Sequence, residues 1–182
     1  MTEAGTPDAS CAVAHGTGST GEVPDRVMVA VFASPVAGAL LRIGVEMGWR
    51  PVLVEPDADR AAPAGLPEGV VRVAGLADLP EELAGRTADV VVTDHHRAEL
   101  GPQLRDALGR PVRWVGIMGN PRHEGPHVAA LAALGVPAAE VARVHRPIGL
   151  DIGSRTPAEI AVATLAGLLA DRNGRPGGFF GT

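Results

Sequence analysis

Short, continuous apolar runs alternate with longer amphipathic stretches along most of this chain. That alternation marks parallel strands buried on both faces and separated by covering helices. The runs at 27–33, 51–55, 70–73, 89–93, 112–117 and 141–144 read as strands. Helical spacing appears at 35–48, 98–108, 124–134 and 156–172, with a helical turn at 76–83; Leu100, Leu104 and Leu108 line one stripe of the second helix. Pro56, Pro63 and Pro67 mark a loop between the second and third strands. The pattern predicts an α/β fold, a Rossmann-like three-layer α/β/α domain over 26–173 with a mainly parallel sheet of about six strands.

The ends lack such a period. Residues 1–25, rich in Gly, Ser, Thr, Ala and Pro, read as a disordered tail. Residues 174–182 read as a flexible one in which Phe179 and Phe180 could dock on the body or on a partner. At 182 residues and 46% hydrophobic content, the chain has room for one such domain. All 16 basic residues are arginine and tyrosine is absent, which reads as genomic composition bias. A net charge of −5 with dispersed arginines excludes a nucleic-acid footprint, which needs a basic patch. Cys11 is the single cysteine, so neither a disulfide framework nor a cysteine zinc site is expected. With no signal-like start and no apolar run long enough to span a bilayer, the expectation is a soluble cytoplasmic protein without membrane contact.

In open α/β sheets ligands bind at the carboxyl ends of the strands, where the winding reverses. Four segments are expected there: 33–35, Thr93 to His96, Gly116 to Asn120, and the turn around Asp151. In that last turn Gly149 and Gly153 flank the carboxylate, and Thr156, Pro157 and Glu159 spell an N-cap, a first-turn proline and a capping-box glutamate. A helix starting there would aim backbone N–H groups at the turn and favour an anion. A well-capped connection explains the same residues without a ligand. Gly116, Gly119, Asn120 and Arg122 could likewise cradle an anion, or simply form a strand-to-helix turn.

Asp94, His95 and His96 offer a carboxylate and two imidazoles for hydrogen bonds, proton transfer or a metal. Neighbours on an extended chain point opposite ways, so His95 and His96 are not expected to share an ion. His123 and His127 have the helical spacing of a zinc pair, but Gly125 and Pro126 disturb the helix it needs. No metal site and no catalytic triad are assigned; His15 and His145 read as solvated or structural. A dinucleotide loop needs three glycines, and here those positions hold Ala33, Pro35 and Gly38. Glu55 stands where a ribose-binding acid would, or is a solvent-facing strand end.

Three blocks carry a resemblance. The run from Pro147 to Glu159 with Ile160 to Ala166 after it, the run Val90 to His96, and the run Trp114 to Arg122 are similar in order and spacing to motifs of the XdhC/CoxI family, across roughly 26–172. The resemblance covers that family's Rossmann-like C-terminal domain; its cysteine-containing N-terminal domain has no counterpart here. It implies an accessory protein, not itself a catalyst, that matures a molybdenum hydroxylase of the xanthine dehydrogenase or carbon monoxide dehydrogenase type by binding, protecting and delivering molybdenum cofactor. The implied binding residues are Asp94, His95, His96, Gly116, Gly119, Asn120, Gly149, Asp151 and Gly153. The implied partners are the apo-hydroxylase and a separate chain supplying the N-terminal domain, with room for a homo-oligomer. The alternative is an NAD(P)-dependent oxidoreductase or another nucleotide-binding Rossmann protein, disfavoured by the altered first loop.

Overall fold

The computed structural model describes residues 25–178 apart from 86, 120 and 121, so the expectations for the N-terminal tail, Cys11, His15, Asn120, Phe179 and Phe180 lie outside the described residues. Six strands form one sheet: β1 (Val27–Val31), β2 (Arg50–Val54), β3 (Val71–Val73), β4 (Ala88–Val92), β5 (Trp114–Ile117) and β6 (Val144–His145). Their order is β3-β2-β1-β4-β5-β6, and every pairing is parallel. The helices are α1 (Pro35–Glu46), α2 (Leu100–Leu108), α3 (Pro126–Ala133), α4 (Ala138–Val141) and α5 (Pro157–Arg172).

Alternation within the central strands builds the two apolar layers. Val27, Val29 and Val31 of β1 join Leu104, Leu108 and Leu131 on one face; Met28 and Ala30 join Leu40, Leu41, Leu165 and Leu168 of α1 and α5 on the other. Both faces are covered, so the run reads as continuously apolar. The order reverses direction between β1 and β4, which puts the topological switch at their carboxyl ends.

Two expected elements differ. The helical turn over 76–83 is a pair of 3₁₀ turns, Leu76–Asp78 and Glu81–Leu83, separated by Pro80. The strand expected at 141–144 is instead the end of α4 followed by a two-residue β6, because Pro137 starts a helical turn at Ala138 whose amides already bond back to 137 and 138.

Gly149 has φ 86° and lies against the middle of α5: a Cβ there would come within 3.1 Å of the Ala163 carbonyl carbon and the Thr164 nitrogen. Gly167 faces it, its own Cβ position being 3.2 Å from the Gly149 Cα. Backbone packs on backbone here, and the Leu150 amide donates to the Ala163 carbonyl at 3.0 Å. Gly149→Ala is therefore expected to cost about 1–3 kcal/mol through left-handed strain and overpacking, measured by urea unfolding. An unchanged midpoint would show that the turn can lift off α5.

Candidate functional site

The first loop, after β1, is already satisfied by protein groups. Ser34 caps α1, its Oγ accepting from the Ala37 amide at 3.0 Å and donating to Thr93 Oγ1 at 2.9 Å, so it ties β1 to β4 across the switch point. Thr93 Oγ1 in turn lies 2.9 Å from the Phe32 carbonyl and 3.1 Å from that of Val31. The Ala33 amide donates to Glu55 Oε2 at 2.7 Å. Loop residues Pro63 and Ala64 press on Gly38, which covers the first turn of α1.

Glu55 corrects the solvent-facing alternative, for it is 6% exposed. It accepts from the Ala33 and Asp57 amides and from both terminal nitrogens of Arg97, at 2.9 and 3.3 Å. Burial pushes the Glu55 carboxyl up, but the Arg97 hydrogen bond and the two amides together hold it below the usual glutamate range. Arg97 also packs its guanidinium 4.8 Å from the centre of the buried Phe32 ring, and Phe32 has φ 74°, a conformation that favours glycine. Arg97 carries no signal in the sequence, because its partner is 42 residues away. The β1–β2 half of the crevice is thus filled by an internal ion pair.

The β4–β5 half is built differently. Asp94 Oδ1 accepts from the His96 amide at 2.9 Å, a side-chain-capped bend that takes the chain out of the extended state. The two imidazoles therefore lie together, with ring centres 4.0 Å apart and planes tilted by 40°, and the expectation that they point apart is overturned. Burial first, then the His96 ring and Arg146, pull His95 below the usual histidine pKa, against the pull of Asp94 and a hydrogen bond to the Met118 backbone. With one ring nitrogen engaged by the Met118 backbone, the other is left to a ligand, and the lowered pKa favours the neutral ring. Among the described residues no group of three His, Cys, Asp or Glu side chains could hold a metal ion.

Gly119 lies beneath Arg146: a Cβ there would fall 2.5 Å from the arginine Nε. Gly116 serves packing instead, since a Cβ there would collide with Trp114 Cη2 and fall 2.7 Å from Ile148 Cγ2. Asp151 and Gly153 (φ 70°) are exposed in the turn before α5. The neighbouring residues Pro147 to Leu150 line a cavity of about 280 Å³ with Trp114, His145 and the C-terminal half of α5. His95, His96 and Gly119 are not among the residues that line it. The capping box of α5 forms as expected, Thr156 Oγ1 accepting from the Glu159 amide and Glu159 Oε2 from the amides of Thr156 and Arg155. Those amides are no longer available to an anion.

The comparisons with known proteins agree with this architecture. A family model described as the XdhC Rossmann domain matches residues 28–168. The uncharacterized protein YqeB of Escherichia coli K12 is 38% identical over 80 residues, 42% of this chain and 15% of its own length. A crystal structure described as a xanthine dehydrogenase from Bacillus halodurans superposes with a TM-score of 0.65 at 21% identity, over 83% of this chain and 45% of that one. This chain thus spans less than half the length of either.

Proposed function

The chain belongs to the XdhC Rossmann domain family, and from that premise we propose that it is an accessory protein in the maturation of a molybdenum hydroxylase, taking molybdenum cofactor as cargo and passing it to the apo-enzyme. The description of the Bacillus halodurans structure as a xanthine dehydrogenase supports that class of client. No described helix is long and apolar enough to cross a membrane.

The observation that carries the reading is the contrast between the two halves of the crevice. On the β1–β2 side the amides and the acid that a dinucleotide would use already serve Glu55, Ser34 and Arg97. On the β4–β5 side His95, its partner ring His96, Gly119 and Arg146 offer polar ring and guanidinium groups and a flat surface to a pterin-sized, anionic group. Asp94 holds the bend that pairs the rings. The exposed Asp151, acceptor-only when ionised, could take the amino edge of the pterin from the neighbouring turn. When bound, the cofactor supplies the molybdenum chemistry of the client; this chain only holds, shields and releases it. A separate chain bearing the family's N-terminal domain is the second proposed partner.

The test is co-purification. Protein made in molybdenum-replete cells is expected to carry molybdenum and an extractable pterin, and a His95→Ala, His96→Ala double variant is expected to retain at least about tenfold less while folding normally. Protein that carries neither, or that binds NAD or NADP tightly by calorimetry, overturns the reading.

A further inference from the structure

We propose that the corner between β5 and α3 is a phosphate subsite, in which Arg146 and His127 hold a phosphate monoester against the start of α3. It rests on the cofactor reading only for the identity of the molecule that carries the phosphate. The sequence drew attention to Arg122 and to the start of α5; the structure moves the arginine to 146 and the helix to α3.

Arg146 leaves the end of β6 and lies over two glycines. A Cβ on Gly119 would fall 2.5 and 2.7 Å from its Nε and Nη2, and one on Gly125 would fall 2.8 Å from its Cδ. Its Nη1 donates to the His123 carbonyl at 2.8 Å, which fixes the guanidinium in place. His127 meets the same glycine: its Nδ1 and Cε1 occupy the space that a Cβ on Gly125 would need. The residue is 7% exposed, and Nδ1 is buried with no hydrogen-bond partner. An orphaned buried nitrogen costs about 1–3 kcal/mol, a cost that an arriving oxygen removes.

Gly125 is the N-cap of α3 and offers no side-chain cap; Pro126 has no N–H and the Val128 amide donates to the Gly125 carbonyl at 3.1 Å, which leaves the His127 amide and the helix dipole to face an anion. Burial first, then Arg146, hold His127 below the usual histidine pKa. As the neutral Nδ1–H tautomer it donates to a phosphate oxygen without taking up a proton. A guanidinium, an imidazole N–H and one helix amide suit the several oxygens of a phosphate monoester.

The experiment titrates the full chain with inorganic phosphate and with a simple alkyl phosphate, by calorimetry at fixed ionic strength. Saturable binding is expected, weakened about tenfold or more by Arg146→Gln and by His127→Leu, with Arg146→Lys in between. His127→Leu removes the orphaned nitrogen and should melt no lower than the parent protein, so it decides the matter if Arg146→Gln unfolds. No saturable binding, or binding unchanged in His127→Leu, overturns the subsite. Undiminished cofactor retention by Arg146→Gln overturns the assignment of that phosphate to the cofactor while leaving the accessory role intact. Phosphate binding lost in both variants, from protein that never carries a pterin, keeps the subsite and sinks the accessory role.

Discussion

Asp89→Ala is expected to lower stability by about 3–5 kcal/mol, because it strips a buried counter-charge from two arginines at once. Asp89 is 0% exposed at the start of β4. It accepts from Arg113 Nε at 2.5 Å and from Arg172 Nε and Nη2 at 3.0 and 2.8 Å. Arg172, at the end of α5, also donates to the Thr87 carbonyl at 2.7 Å and lies 5.8 Å from the Trp49 ring. Removing the carboxylate leaves Arg172 half-desolvated with only a carbonyl and a ring, whereas Arg113 keeps Asp171 as a counter-charge. The melting temperature should fall by on the order of 10 °C. Asp89→Asn, which keeps one carbonyl acceptor, should lose less. A loss under about 1 kcal/mol for Asp89→Ala would mean that the arginines swing into water, and that α5 is held to the sheet by its apolar face alone.

Glu55→Gln should cost about 2–3 kcal/mol at neutral pH, because it removes the charge facing Arg97 and weakens the bond to the Ala33 amide. The pH dependence gives the sharper test. The folded pKa of Glu55 lies below its unfolded value. Its contribution is therefore fully present above the ordinary glutamate value of about 4.3 and is lost as pH falls through the lower, folded value. The gap in unfolding free energy between parent and variant should be constant from about pH 7 to about 5 and narrow as pH falls below the ordinary glutamate value. Other carboxylates with lowered values, such as Glu159, are common to both proteins and cancel in the difference. A gap that does not change with pH would show that the pair is held by shape and not by charge. If Glu55→Gln also gained tight NAD binding, the internal ion pair would be what keeps a dinucleotide out.

The sequence alone determined the fold, because its signals are local. The continuous apolar run Val27 to Val31, the apolar stripe at Leu100, Leu104 and Leu108, and the cap at Thr156 to Glu159 each depend on residues within one element, and each appears as expected. Helix ends drifted by a residue or two, and the region before β6 became α4, since a short apolar run fits helix and strand equally well. Residue types at the strand ends, His95, His96 and Gly119, were also legible.

Only the tertiary structure decided what those groups face. Glu55 looked like a ligand acid until Arg97, 42 residues on, was placed against it. Gly116 and Gly149 looked like ligand glycines but admit Trp114 and α5. Gly119 alone among these three lies under a guanidinium, and that arginine comes from β6 rather than from its own loop. The physical reason is that burial and charge pairing depend on distance in space, and the crossovers between parallel strands bring together residues whose separation along the chain carries no trace of it.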